Sequence, residues 1–292
     1  IVDGEPHIDG DGDFVITHMG QPVFVRVEPG RLHPGERQVE ATGPGILADV
    51  AGDVGQLHRK PEIGGAGQQR LAGARIAMIG AGGLGSPALT YLAAAGVGTL
   101  TVIDDDAVSL SNLQRQTLHM TDAVGQPKAK SAAAQIAAIN PHVRVDGRAE
   151  RLAPDNAESL LTGHDVIMDG SDNFETRRLA ADVAERLETP LVTGAIQRFD
   201  GSVTVFAPFR NDEEGKPLPR YRDLYPDLPA PGTVPTCAEA GVLGALAGVI
   251  GSLMATEAIK LVTGAGEPLF GRLLLYDALS TRFETMRYGR RA

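Results

Sequence analysis

From residue 75 onward the chain alternates short apolar runs with stretches of helical character. Residues 75–79 form one apolar run, a glycine turn follows, and residues 86–95 are rich in helix formers. A second apolar run covers 99–104, 128–139 is Ala-rich and helical, and 166–169 and 191–193 are further short apolar segments. Runs of this kind suit strands buried on both faces, and their alternation with helices implies βαβ units in a parallel sheet. Residues 201–206, 272–276 and 282–286 read as strands of an antiparallel end. The predicted fold class is α/β, a Rossmann-like mostly parallel sheet with helices on both faces and an antiparallel C-terminal extension.

Two other stretches stand out within this pattern. Residues 240–256 are uncharged between Glu239 and Glu257 and carry Gly241, Gly244, Gly248 and Gly251. Such a short, glycine-rich segment falls below the length of a membrane span and is read as a buried helix. Its small residues four apart would let another helix approach closely, including one across a dimer. The Pro- and charge-rich stretch 207–235 is expected to form a long mobile loop.

Charge changes the picture at the N-terminus. The 292 residues carry 27 Lys+Arg against 37 Asp+Glu, for a net charge of −10. Of this, −7 falls in residues 1–57, where 10 acidic side chains face 3 Arg. Residues 1–57 are therefore set apart as an acidic, Gly-rich appendage without an assignable role, and 58–292 as the main domain. Within the appendage, 14–17 and 23–27 read as two strands around a Met-Gly-Gln-Pro turn. Asp9, Asp11 and Asp13 imitate a calcium loop, but Phe14 stands where glycine is needed and Gly20 where a bidentate Glu is needed. They are read as a solvated acidic turn. The acidic balance argues against nucleic acid or a membrane surface as partner. One cysteine excludes a disulfide framework and a Cys-only zinc site, and points to a cytoplasmic setting.

Gly80-Ala-Gly82-Gly83-Leu-Gly85 is a G-x-G-x-x-G between a predicted strand and a predicted helix. Glycines there let the chain turn tightly and let phosphate oxygens approach unpaired N–H groups at the helix N-terminus. Asp104 closes the next strand, 19 residues after Gly85, where a carboxylate accepts ribose hydroxyls. Alone, these features describe any nucleotide on a Rossmann-like sheet, and an NAD-dependent oxidoreductase shares them. The residues that follow do not suit hydride transfer. Asp104-Asp-Asp106 leads into Ser111-Asn112-Leu-Gln114-Arg115-Gln116, then Gly125-Gln-Pro127-Lys128 and Gly170-Ser-Asp172-Asn173. Arg115 and Lys128 would place two cations over a triphosphate and stabilise charge moving onto its oxygens. Asp172, at the C-terminal edge of a strand, is suited to Mg2+, a hard cation that takes carboxylate oxygens. Each residue alone is an ordinary solvated charge, whereas the ordered set is not. Cys237 is the only thiol and so the sole candidate for a covalent step; a buried structural role is an equally good reading. His119 and His164 read as packing or surface residues rather than ligands.

Residues 80–85, 108–119 (VSLSNLQRQTLH), 125–128, 171–173 and 237–241 together resemble the MoeB/ThiF/HesA family, bacterial relatives of ubiquitin-activating enzymes. The resemblance runs from about residue 61 to 287. It implies adenylation of the C-terminal Gly-Gly carboxylate of a small ubiquitin-like sulfur-carrier protein by Mg-ATP. A sulfur donor, such as a cysteine desulfurase or rhodanese, then converts the acyl-adenylate to a thiocarboxylate. By position, Gly83 matches the phosphate-loop glycine, with Gly80, Gly82 and Gly85 around it, and Asp104 the ribose ligand. Asn112, Arg115 and Lys128 match triphosphate contacts, with Asp106, Ser111 and Gln114 beside them. Asp172 matches the magnesium aspartate, next to Asn173. The resemblance also implies a homodimer. The wording of 108–119 is more similar to molybdopterin-synthase adenylyltransferases than to the thiamine-pathway branch, which stays as the alternative.

Two departures from the family pattern bear on this. Members often hold zinc through two C-x-x-C pairs, but here Arg220-Tyr-Arg-Asp223 stands at the first position and no second pair precedes Ala292, so no zinc is expected. The family also carries arginines a few residues before Pro-Glu-x-Gly, one of which reaches ATP in the partner subunit. Here Arg59-Lys60 abuts Pro61-Glu62, and Arg59 is the substitute for that cation. The altered spacing supports a rival reading from another class, a catalytically degenerate scaffold that binds nucleotide or carrier without turnover.

Overall fold

The computed structural model describes residues 62–226 and 241–291, and the backbone of three short strands near the N-terminus. The chain divides into two units, Ile1–Ile46 and Leu47–Ala292. In the first unit β1 (His7–Ile8), β2 (Phe14–His18) and β3 (Gln21–Val25) form an antiparallel sheet in the order β1-β2-β3. Strand β3 begins two residues before the expected 23–27 because Pro22 is taken into it. It lies at an edge of the sheet, where proline is tolerated. Asp9, Asp11 and Asp13 lie outside the described residues.

The second unit has an eight-stranded sheet. Strands β4 (Arg75–Ile79), β5 (Thr99–Ile103), β6 (Arg144–Arg148), β7 (Val166–Asp169) and β8 (Leu191–Gln197) are parallel. Strands β9 (Asp200–Phe206), β10 (Arg272–Asp277) and β11 (Arg282–Arg287) extend it antiparallel, giving the order β11-β10-β9-β8-β7-β4-β5-β6. Among the described residues the α-helices are α1 (Gly64–Gly73), α2 (Gly85–Ala94), α3 (Lys128–Ile139), α4 (Ala157–Leu161), α5 (Phe174–Arg186), α6 (Tyr221–Leu224) and α7 (Gly244–Thr263). This is the α/β class read from the sequence.

The pleat divides the core in two. Ile76, Met78, Leu100, Val102, Val166 and Met168 point to one face, where Leu71, Leu89, Ile136 and Ile250 from α1, α2, α3 and α7 cover them. Their neighbours Ala77, Ile79, Ile103 and Ile167 point to the other, against Leu161, Ala180, Val183 and Tyr221. Strands covered on both sides explain why the sequence shows continuous rather than alternating apolar runs. β4, β5 and β6 step outward to one edge, and β7 returns to the other side of β4. The crevice beyond the carboxyl ends of β4 and β7 is the place where such sheets bind ligands.

Helix α7 is, by length and composition alone, apolar enough to cross a membrane. Its Leu246, Ile250, Met254 and Ala258 are instead buried against the sheet and α2. A Cβ on Gly251 would run into the Leu84 carbonyl and the Pro87 ring, so this glycine serves a close approach within the chain. The helix continues past Glu257, where the uncharged segment ends in sequence, because that carboxylate is buried with partners. It pairs with Lys260 at 2.5 Å and accepts the Leu269 N–H at 2.8 Å.

Residues 207–226, the described part of the expected loop, are tied to the domain. Arg222 pairs with Asp182 at 2.6 Å and Arg220 with Glu185 at 3.1 Å, both on α5. The Asp223 carboxylate accepts the Arg220 N–H at 2.7 Å and the Arg291 N–H at 3.1 Å. Polar and ionic links thus join the 220–223 turn to α5 and to the chain end, at the position where the resemblance implies cysteines.

Candidate active site

Strand β4 ends at Ile79, and the chain turns at Gly80 with φ +88, a left-handed value that glycine adopts without strain. Helix α2 then starts at Gly85, so close to the Gly80 carbonyl that a Cβ there would overlap it. No side chain caps α2; in its first turn the Ser86 N–H bonds back to the Gly82 carbonyl at 2.9 Å and Pro87 carries no N–H. The turn borders a cavity of about 330 Å³, within the range of small-molecule sites.

Asp104 stands one residue past β5 and braces the turn. Its Oδ2 accepts the Ala81 N–H at 2.8 Å and its Oδ1 the Asp106 N–H at 2.9 Å. Burial raises its pKa above the usual carboxylate value, against the opposing pull of Lys128. Lys128, the first residue of α3, is itself buried; its Nζ lies 2.7 Å from Asp106 and 4.0 Å from Asp104. Arg115 lines the cavity, with Nη2 donating to Asn112 Oδ1 at 3.3 Å.

The opposite wall comes from the turn after β7. Buried Asp169 accepts the Ser171 N–H at 3.0 Å and its hydroxyl at 2.6 Å, and the Thr193 hydroxyl at 3.0 Å. Arg177 donates to the Ser171 carbonyl at 2.6 Å. These bonds fix the turn that presents Asp172, exposed and facing the cavity. Asn173 accepts the Thr176 N–H at 2.8 Å and caps α5.

The cavity therefore gathers Gly80, Gly82, Gly83, Asp104, Asp106, Arg115, Lys128, Asp172 and Asn173 from the expected set. Gly85 shapes the turn from behind. Asn112 acts through Arg115, while Ser111 pairs with Ser109 and Gln114 packs beside Gly244; none of these three lines the cavity. Arg59 and Cys237 lie outside the described residues. Residues not anticipated also line the cavity: Gln116, Glu150, Arg151, Ser171, Thr176 and Arg177. Gln116 belongs to the quoted motif. Its Oε1 is fully buried without a hydrogen-bond partner among the described residues.

Both histidines are buried, and burial holds each below the usual imidazole pKa. His119 sits 2.8 Å from the Ala81 carbonyl through Nε2 and 2.9 Å from the Ser131 hydroxyl through Nδ1. His164 joins the Leu161 carbonyl at 3.0 Å to the Thr101 hydroxyl at 2.8 Å.

The ThiF family model matches residues 55–292. The probable adenylyltransferase/sulfurtransferase MoeZ of Mycobacterium tuberculosis is 53% identical over 226 residues, which cover 77% of this chain and 57% of MoeZ. The SAMP-activating enzyme E1 of Haloferax volcanii is 51% identical over 227 residues, covering 78% of this chain and 81% of that enzyme. The sulfur carrier protein adenylyltransferase of Thermus thermophilus is 50% identical over 238 residues, covering 80% and 87%. Of the solved structures, E. coli MccB with ATP shares the fold with a TM-score of 0.65 at 19% identity, covering 77% of this chain and 67% of MccB.

Proposed function

The chain belongs to the ThiF family, and from that premise we propose that it adenylates the C-terminal Gly-Gly carboxylate of a small ubiquitin-like sulfur-carrier protein. A carboxylate oxygen of the carrier attacks the α-phosphorus of ATP, the bond to the bridging oxygen breaks, and pyrophosphate leaves. The observation that carries this reading is the convergence of Arg115, Lys128 and the free carboxylate of Asp172 with a glycine turn on one cavity. Arg115 and Lys128 stabilise charge that moves onto phosphate oxygens, and Asp104 accepts from ribose hydroxyls. A hydride-transfer enzyme has no use for the two cations and the free carboxylate.

Magnesium fits the donor set, because Asp172 offers an exposed carboxylate on the cavity wall and hard cations take such oxygens. When bound, it neutralises triphosphate charge; Asn173, occupied in capping α5, is left to position the turn. The carrier is assigned to the molybdopterin branch on the wording of 108–119, with the thiamine-pathway carrier as the alternative. A cysteine desulfurase or rhodanese supplies the sulfur afterwards, and the enzyme acts as a cytoplasmic homodimer. ATP–pyrophosphate exchange with a panel of small carriers ending in Gly-Gly tests this. Exchange that depends on one carrier is expected. Mg-ATP binding without exchange for any carrier would favour the degenerate scaffold, and stabilisation by NAD rather than Mg-ATP would favour the oxidoreductase.

A further inference from the structure

Three separate elements meet beside the cavity, and one residue links them, through its main chain to its own segment and through its side chain to the other two. The segment carrying Arg115 and Gln116 is a tight series of turns. Within it the Arg115 and Gln116 N–H groups both donate to the Asn112 carbonyl, at 3.1 and 3.0 Å. His119 closes the series through its own N–H to the Gln116 carbonyl at 3.0 Å. Its imidazole leaves this segment and reaches the other two elements. Nε2 meets the carbonyl of Ala81, in the glycine turn, at 2.8 Å, and Nδ1 meets the hydroxyl of Ser131 at 2.9 Å. Ser131 belongs to the first turn of α3, whose N–H bonds back to Pro127 at 3.0 Å, so it moves with Lys128.

The hydrogen-bond roles follow from the partners. A carbonyl only accepts, so Nε2 carries the proton and donates to Ala81, and Nδ1 accepts from the Ser131 hydroxyl. Ala81 is held from both sides, because its N–H donates to Asp104 at 2.8 Å. His119 does not line the cavity and is 4% exposed, so it acts only through these neighbours.

We infer that His119 is a positioning residue that fixes the spacing of Arg115, the glycine turn and Lys128 around the triphosphate, a role resting on the adenylation reading above. The rigid ring holds the Ala81 carbonyl and the Ser131 hydroxyl on its two nitrogens, which a flexible side chain would not do to the same tolerance. Misplacement of such a frame by about 1 Å costs about 10²-fold in rate.

The test uses the full chain with His119→Phe, which keeps an aromatic ring while removing both side-chain bonds, and His119→Gln, which restores a donor near Ala81. Mg-ATP affinity by calorimetry, pyrophosphate exchange with the responsive carrier, and melting temperature are measured together. His119→Phe should lower exchange by about 10²-fold, with His119→Gln recovering part of it. Adding Lys128→Ala to His119→Phe should cost far less than Lys128→Ala costs the parent protein, because the cation is already out of place. Losses that simply multiply, or a lower melting temperature with normal affinity and exchange, would show a packing role and overturn the inference. If His119→Phe does not fold, the same cycle with Ser131→Ala, which cuts one arm, decides between coupled and independent losses. A parent protein that binds Mg-ATP but exchanges with no carrier refutes adenylation while the affinity cycle still decides on His119. A parent protein that binds no nucleotide sinks both.

Discussion

Two alanine substitutions in one turn should fail in different ways. At Gly85 an added Cβ would sit about 1 Å inside the 3.0 Å closest approach that real Cβ atoms make, and the atom it meets is the Gly80 carbonyl oxygen. The next neighbours are the Gly80 carbonyl carbon at 3.0 Å and Met78 Cε at 3.2 Å. Only the methionine can give way, so the backbone of β4 and of α2 must separate. Overpacking of this kind costs about 1–3 kcal/mol or more, and backbone against backbone belongs at the upper end. About 3 kcal/mol in a domain of this size lowers the melting temperature by about 6–12 °C. At Gly83 the same methyl would meet Ala247 Cβ at 3.4 Å and Arg115 Cδ at 3.7 Å, which is ordinary contact. Gly83→Ala should therefore melt within about 2 °C of the parent, since a substitution without a named lesion stays within about 0.5 kcal/mol. It nevertheless fills space on the cavity wall where a phosphate would lie. Thermal unfolding monitored by circular dichroism, paired with Mg-ATP titration, separates the two. Gly85→Ala should lose stability, and Gly83→Ala should lose affinity at unchanged stability. Equal melting temperatures for Gly85→Ala and the parent would refute the steric argument, and undiminished affinity of Gly83→Ala would remove the phosphate from this turn.

The charged residues give further tests. Lys128→Ala and Arg115→Ala should each cost about 10²-fold or more in pyrophosphate exchange, and near-normal rates in both would remove the triphosphate from that wall. Asp172→Ala should abolish exchange while leaving the melting temperature unchanged, because the exposed carboxylate makes no bond that the fold needs; persistent exchange would refute a metal role. The two buried histidines predict a direction with pH. Their folded pKa values lie below 6.5, so their stability contribution is full above pH 6.5 and is lost as pH falls through the lowered values. Asp104 works the other way nearer pH 3.8, where its raised pKa favours the protonated folded state as pH falls. A His164→Gln variant should lose stability less steeply below pH 6.5, and an unchanged slope would count against the buried neutral ring. Asp223→Ala removes the acceptor shared by the Arg220 and Arg291 N–H groups, and about 1 kcal/mol, or about 2–4 °C, is expected at this half-exposed site.

What was legible in the sequence was whatever leaves a local mark. β4, β5 and β7 are covered on both faces, so their runs stand out as apolar blocks, and the glycine turn is written in residues that tolerate close backbone contact. β6 (RVDGR) escaped notice because it is the outer strand, partly exposed, and has no apolar block to show. α1 is masked by four glycines, and α5 by its interspersed arginines and glutamates, although Ala180, Val183 and Ala184 are buried. The site followed the same division. Residues whose charge faces the cavity, such as Lys128 and Asp172, are recognisable as types at a spacing. Arg177 and His119 are not, because what they hold is a main-chain carbonyl, of Ser171 in one case and Ala81 in the other. Every residue has a carbonyl, so a side chain that works by gripping one leaves no pattern in its partner. Asn112 shows the intermediate case: it was expected on the ligand, and it instead steadies the arginine that lines the cavity. Residues of this kind become visible only when the fold brings distant segments together, and here the imidazole on one turn bonds two others.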